Sequence, residues 1–150
     1  MKIGIAADHG GFALKEKLKA ILQNHYTIRD YGAGVYNAAD DYPDFVYPLA
    51  KAVSNGEIER GVAICGSGIG ACIVANKVPG VRAALINESY SAHQGVEHDD
   101  MNIICLGARV IGDTYAEELV NTFLKATYSG EGRHERRLNK LKNIEIKYKP

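Results

Sequence analysis

The sequence predicts an α/β fold: a doubly wound, Rossmann-like sheet of five parallel strands, with helices on both faces and an extra C-terminal helix. Short apolar segments alternate with segments of helical periodicity along the chain. The third to fifth strands are apolar throughout, which is typical of strands buried on both faces. No repeat or linker interrupts the 150 residues, so we expect one domain over residues 1–150.

Each predicted strand is short and is followed by a helical pattern, and most of these helices end close to Gly, Asn or Pro. Strands are expected at residues 2–7, 26–31, 61–65, 81–86 and 103–106. Helices are expected at residues 11–24, 45–53, 69–77, 89–96, 114–126 and 131–146. Right-handed crossovers give the strand order 2-1-3-4-5. Ligands then bind at the carboxyl ends of strands one and three, where the order reverses.

Composition argues against several classes of function. Hydrophobic residues make up 46 % and charged residues 24 % of the chain, values typical of a soluble globular protein. The formal net charge is zero, so we expect no binding to nucleic acid or to a membrane surface. No apolar stretch suits a membrane span or a signal peptide. The three cysteines lack zinc-ligand spacing, which favours reduced thiols, no metal and a cytoplasmic protein.

A glycine-rich turn follows the third strand, where Cys65 leads into Gly-Ser-Gly-Ile-Gly at 66–70. Such a loop presents N–H groups at a helix N-terminus and cradles an anion. Gly66, Gly68, Ala71 and Glu88 also match a loose dinucleotide pattern, which leaves a flavodoxin-like nucleotide-binding module as an alternative. A helix N-terminus favours the thiolate, so Cys65 is a candidate base or nucleophile. The other two cysteines are expected to be buried in the core.

Asp8 and His9 follow the first strand, where Asp8 could cap the next helix or both residues could bind a ligand. His98 is expected in a polar loop before the fifth strand, as a candidate acid or base. Arg133 and Arg137 lie four residues apart on one predicted helix face and suit a phosphate.

The terminal helix also carries a narrow apolar stripe of Leu138, Leu141 and Ile144. A terminal helix with such a stripe often packs on a partner subunit, so we expect at least a dimer.

Together these motifs resemble the ribose-5-phosphate isomerase B family, the RpiB/LacAB sugar-phosphate isomerases, along nearly the whole chain. The motifs are AADHGGF at 6–12, DYPD at 41–44, ICGSGIG at 64–70, ANK at 75–77, EHDDMN at 97–102, GAR at 107–109 and GRHERR at 132–137. The resemblance implies interconversion of D-ribose 5-phosphate and D-ribulose 5-phosphate, a step of the pentose phosphate pathway, without metal or organic cofactor. It also implies a homodimer or a dimer of dimers with active sites at the subunit interface. An isomerase of allose 6-phosphate or galactose 6-phosphate is the alternative within the family.

The resemblance further implies a role for each matched residue. Cys65 is the base that moves a proton between C2 and C1 of the open-chain sugar, and Ala71 stands where another branch of the family has a glutamate base. Ser67 helps to hold the enediolate oxygen, and His98 opens the furanose ring with Asp8. Phosphate or other substrate contacts are implied for His9, Tyr42, Gly66, Gly68, Ile69, Gly70, Asn102, Arg109, Arg133, His134 and Arg137.

Overall fold

The computed structural model describes residues 1–148, so the last two residues of the predicted domain lie outside the described part of the chain. The strands are β1 (Lys2–Ala7), β2 (Thr27–Asp30), β3 (Arg60–Cys65), β4 (Ala83–Leu85) and β5 (Ile103–Gly107). The helices are α1 (Phe12–Leu22), α2 (Pro43–Ser54), α3 (Ile69–Ala75), α4 (Ser89–Asp99), α5 (Asp113–Lys125) and α6 (Gly132–Lys147). Every predicted element is present, with boundaries shifted by a few residues.

All neighbouring strands are parallel, and their order is β2-β1-β3-β5-β4. The predicted order 2-1-3-4-5 is therefore wrong for the last two strands. β5 pairs with β3 over five residues and is buried along its whole length, whereas the three residues of β4 are only half-buried. An inner position removes the most apolar surface from water, so the longer apolar β5 lies inside and the short β4 forms the edge.

The helices cover both faces of the sheet, as the sequence predicts. One face is covered by α1, α4 and α5 through apolar side chains such as Leu18, Val96 and Phe123. The other face is covered by α2 and α3, with Leu49 and Ala71 in the core. Because both layers are packed, the open edge at the carboxyl ends of β1 and β3 is where side chains can meet a ligand.

The terminal helix α6 packs against α4 through its first turns. His134 and Leu138 are buried, whereas Leu141 and Ile144 are 43 % and 58 % exposed. The predicted apolar stripe is thus present, and two of its three residues are exposed in a single chain. Among residues 1–148 no helix has the length and apolar character that crossing a membrane requires.

Candidate active site

A cleft of about 510 Å³ lies at the carboxyl edge of the sheet, where β1 and β3 end. This volume falls in the range of small-molecule sites. The cleft brings together residues that the sequence places far apart along the chain. Its lining consists of Asp8, Tyr42, Cys65, Gly66, Ser67, Ile69, Gly70, Ile73 and Arg109. All of these except Ile73 belong to the predicted site.

The turn after β3 depends on Gly68, whose φ is +79°. A Cβ at this position would lie 2.5 Å from Leu85 Cδ1 and 2.8 Å from the carbonyl carbon of Leu106, so only glycine fits. The turn directs the Gly68 N–H at Cys65 Sγ, at an N-to-S distance of 3.1 Å. Cys65 therefore presents its sulfur on the wall of the cleft, where the turn fixes it through this hydrogen bond.

The start of α3 supplies further donors beside Cys65. The first residues of a helix have no intrahelical acceptor for their N–H groups, and here these are Gly70 and Ala71. The Ile69 N–H donates to Ser67 Oγ at 3.3 Å, so the serine hydroxyl lies at the same turn. An oxyanion beside Cys65 would meet these polar groups and the positive end of the helix.

Arg109 and Tyr42 form two further walls of the cleft. The Arg109 N–H donates to the Gly66 carbonyl at 3.0 Å, and a Cβ on Gly66 would lie 3.4 Å from Arg109 Cζ. The guanidinium thus lies over the glycine turn, where it can reach an anion. The Tyr42 ring packs against the start of α3, because a Cβ on Gly70 would lie only 2.6 Å from Tyr42 Cζ.

Asp8 and His9 extend from the end of β1 towards the cleft. Asp8 is 6 % exposed and lines the cleft, and its Oδ1 accepts the Gly11 N–H at 3.2 Å. The N-cap of α1 is Gly11, with no side-chain hydrogen bond, so the capping role considered for Asp8 is wrong. Asp40 Oδ1 accepts hydrogen bonds from the backbone N–H and from ring Nδ1 of His9, both at 2.8 Å. The pKa of His9 is raised above 6.5, chiefly by this hydrogen bond to Asp40 and also by the negative charge of Asp8. Sequence reasoning missed Asp40; the available signal was the acidic pair Asp40-Asp41 at the end of the 31–42 loop.

Asp8, His9 and Asp40 each offer a ligand atom within 4.8 Å of the others, a spacing that would permit a metal ion. A metal binds only neutral imidazole. Here Asp40 occupies Nδ1, and the raised pKa of His9 favours the protonated ring. The group is therefore better suited to hold a proton and present a cation to an anionic ligand.

A second group of predicted site residues lies towards the amino ends of the strands, away from the cleft. It consists of His98, Asn102, Arg133, His134 and Arg137. Asn102 directly precedes β5, and its carbonyl accepts the Gly61 N–H at the start of β3, whereas Cys65 ends that strand. Four residue steps of about 3.3 Å separate Gly61 from Cys65 by about 13 Å along the strand. Within one chain the two groups therefore lie at opposite ends of the strands.

His98 lies in the last turn of α4, so its predicted location in a loop is wrong. α4 continues to Asp99, and the left-handed backbone of Asp100, its C-cap, ends the helix. The Gln94 amide donates to His98 Nδ1 at 2.7 Å, which leaves the proton of a neutral ring on Nε2.

His134 stacks beneath His98, with ring centroids 3.9 Å apart. It is 2 % exposed and bonded to Ser129 Oγ at 2.9 Å, and its pKa is lowered, chiefly by burial and then by His98. His134 therefore contacts His98 from within the fold, and its phosphate contact stays a prediction.

The remaining members of this group are Asn102, whose side chain is hydrogen-bonded within the chain, and two arginines, whose side chains are exposed. Asn102 is engaged within the chain: its Oδ1 accepts the Arg82 N–H at 2.8 Å, and its Nδ2 donates to the Gly80 carbonyl at 2.9 Å. The predicted substrate contact of Asn102 therefore gains no support. Arg133 and Arg137 are exposed and four residues apart on α6, which confirms their predicted helical spacing.

The other two thiols lie outside the cleft. Cys105 is fully buried, as expected, but Cys72 is partly exposed. The pKa of Cys72 is lowered to about 6, because it accepts a hydrogen bond from Cys105 and others from neighbouring N–H groups. The pKa of Cys105 is raised for the complementary reason and by burial. Cys65 remains the thiol that faces the cleft.

Comparison with known proteins gives a consistent result. The family model described as Ribose/Galactose Isomerase matches residues 3–141. The ribose-5-phosphate isomerase B structure from Clostridium thermocellum is 48 % identical with a TM-score of 0.95, covering 99 % of this chain and 100 % of that one. The Mycoplasma genitalium enzyme, solved with bound ribulose-5-phosphate, is 39 % identical with a TM-score of 0.91, covering 97 % and 96 %. A D-erythrulose-4-phosphate isomerase from Pectobacterium atrosepticum is 41 % identical over 88 % of each chain. With this fold, this cleft and these matches, the chain belongs to the ribose/galactose isomerase family.

Proposed function

We propose that this protein interconverts D-ribose 5-phosphate and D-ribulose 5-phosphate through an enediolate, with Cys65 as the base. The observation that carries the proposal is the Cys65 thiol on the cleft wall, with the Gly68 N–H directed at its sulfur. Aldose–ketose isomerisation needs a base at the carbon proton and donors where negative charge develops. The turn after β3 provides both within a few residues.

In the proposed reaction, the open-chain aldose binds with C2 beside Cys65. The thiolate takes the C2 proton, the released electron pair forms the C1–C2 double bond, and O1 becomes an oxyanion. Backbone N–H groups at the start of α3 and the Ser67 hydroxyl stabilise this charge, and each such donor typically contributes about 10²–10³ in rate. Transfer of the O2 proton to O1 and return of the proton from Cys65 to C1 give the ketose.

Binding of the phosphate is assigned to positive groups on two chains. Arg109 lines the cleft of one chain, and His9 directly follows Asp8, which also lines it. Arg133 and Arg137 are exposed on α6, which packs against α4 rather than beside the cleft. Since neither arginine lines the cleft of its own chain, we infer that a second copy supplies Arg133 and Arg137. His98 of that copy would open the furanose ring together with Asp8.

An uncovered apolar surface supports this pairing of chains. A groove of about 440 Å³ runs beside α6 and is lined by Val81, Met101, Leu141 and Ile144, among others. A second copy of the chain would cover such a surface, so we propose a homodimer, alone or within a dimer of dimers. The three free thiols suit a reducing cytoplasm, where we place the protein.

Two alternatives remain to be tested beside this proposal. The family name and the relative named for erythrulose 4-phosphate suggest substrates of other lengths, including allose 6-phosphate and galactose 6-phosphate. A coupled assay over four-, five- and six-carbon sugar phosphates decides between them. A nucleotide-binding role is disfavoured, because Glu88 is used to cap α4 through the Ser91 N–H at 2.8 Å.

The base assignment is tested with Cys65→Ala. We expect turnover of ribose 5-phosphate to be abolished while the substrate still binds, as measured by calorimetry. Cys72→Ala is the matched control, because this thiol lies outside the cleft, and it should retain most activity. Full activity of Cys65→Ala would overturn the assignment.

A further inference from the structure

Asp40 is a buried carboxylate that contacts His9, a residue of the candidate site, and does not belong to the apolar core. Its side chain is 8 % exposed, and Oδ1 accepts both hydrogen bonds from His9. Among residues 1–148, its Oδ2 is buried without a hydrogen-bond partner. Burying a charged oxygen in this way costs stability. In return, the two hydrogen bonds to Asp40 Oδ1 fix the position of the His9 imidazole.

The 31–42 loop that carries Asp40 is itself held against the end of β1. The Ala7 N–H donates to the Gly32 carbonyl at 2.8 Å, and the Ala33 N–H donates to the Ala7 carbonyl at 2.6 Å. Further along the loop, the Tyr36 ring meets the His9 ring edge-on at 6.5 Å. His9 is therefore held from two sides by a loop that is anchored beside it.

The two hydrogen bonds define which ring nitrogen of His9 remains for a ligand. Asp40 is an acceptor, so Nδ1 must carry a proton, and Nε2 is left to meet an anion. The titratable groups that face His9 are the carboxylates of Asp8 and Asp40 and the Tyr36 phenol. Both carboxylates favour the imidazolium.

We propose that Asp40 is a positioning residue, which holds His9 as an oriented imidazolium so that Nε2 binds the substrate phosphate. The inference rests on the proposed function in one respect, namely that His9 contacts the phosphate. Asp40 itself does not touch the substrate. Its effect is to extend phosphate binding to a higher pH than an ordinary histidine would allow.

The test is Asp40→Asn, with Asp41→Asn as the matched control. Asp41 is the next residue and is exposed, so its substitution removes the same charge without touching His9. Affinity is measured with inorganic phosphate as a competitor of the sugar phosphate, at pH 5.5 and pH 8. We expect Asp40→Asn to weaken phosphate binding more at the higher pH, by up to about tenfold for the loss of one charge-assisted hydrogen bond. The loss should be smaller at pH 5.5, where the ring is protonated in both proteins.

Titration of the His9 ring by NMR provides a readout independent of activity. The signal is assigned among the five histidines with His9→Gln. In the unsubstituted protein His9 should titrate above 6.5, and in Asp40→Asn its midpoint should fall. The wild-type titration alone keeps the proposal falsifiable if Asp40→Asn does not fold, since a midpoint at or below 6.5 overturns it.

The outcomes separate this inference from the proposed function. An unchanged His9 midpoint in Asp40→Asn overturns the positioning role, while phosphate binding that is lost in His9→Gln leaves the proposed function intact. A lowered midpoint with unchanged phosphate affinity also overturns the inference. If His9→Gln then binds phosphate normally, the phosphate contact assigned to His9 fails as well.

Discussion

The separation of the two residue groups makes a quantitative prediction about mixed assemblies. Cys65 lies at the carboxyl end of β3, whereas α6, which carries the two arginines, packs against α4. We prepare Cys65→Ala and the double variant Arg133→Ala/Arg137→Ala, each of which should be nearly inactive at low substrate concentration. Loss of two hydrogen bonds to a charged phosphate corresponds to about 3–6 kcal/mol, or at least about 10²-fold in kcat/KM.

Co-expression of the two variants should restore activity. In a twofold dimer with shared sites, one site of each hybrid contains both substitutions and the other contains neither. Random pairing makes half of the dimers hybrids, so the mixture should reach about one quarter of wild-type activity. The measurement is a coupled isomerase assay on the unfractionated mixture; hybrids isolated through two different tags should reach about one half of wild-type activity.

One result would refute the reasoning. If the co-expressed mixture, with hybrids verified by tandem purification, shows no more activity than the sum of its parents, the site is not shared between chains. The matched control pairs Cys65→Ala with itself under two tags, which should give no recovery.

Two further predictions concern the thiols and the glycine turn. Because the pKa of Cys72 is lowered to about 6 and that of Cys105 is raised, iodoacetamide at pH 7.5 should label Cys72 well before Cys105, as read by peptide mass spectrometry. Equal labelling rates would contradict this hydrogen-bond assignment. Gly68→Ala should lower the free energy of unfolding by about 2–4 kcal/mol in urea and abolish turnover, because φ is +79° and the methyl group has no room. Gly112→Ala, where a Cβ would meet nothing within 4 Å, should unfold like the unsubstituted protein.

The fold was largely predictable because periodicity and turn residues act locally. Strand order was less accessible, since the order of β4 and β5 depends on which strand buries more surface in the assembled sheet. The two strands differ in burial: β5 has five buried residues, whereas β4 has three half-buried residues next to Arg82. Comparing the apolar length of the two segments would have predicted the correct strand order.

The site was predictable where motifs follow strands and less so where distant elements meet. Cys65 and Asp8 emerge from adjacent strand ends, so topology alone brings them to one cleft. Asp40 was missed because its contact with His9 spans 31 residues of sequence and arises from the course of a loop. The burial of His134 was missed because charged neighbours in its motif indicate an exposed surface.

The close approach of Tyr42 to Gly70 has a consequence for how substrate range can change in this family. The tyrosine ring rests where a Cβ at position 70 would be, 2.6 Å from Cζ. Any larger residue there would push the ring aside and change the space in the cleft, while Cys65 at the end of β3 stays in place. If the cleft binds the sugar phosphate as we propose, substitutions at positions 42 and 70 would admit sugars of another length without altering the proposed base.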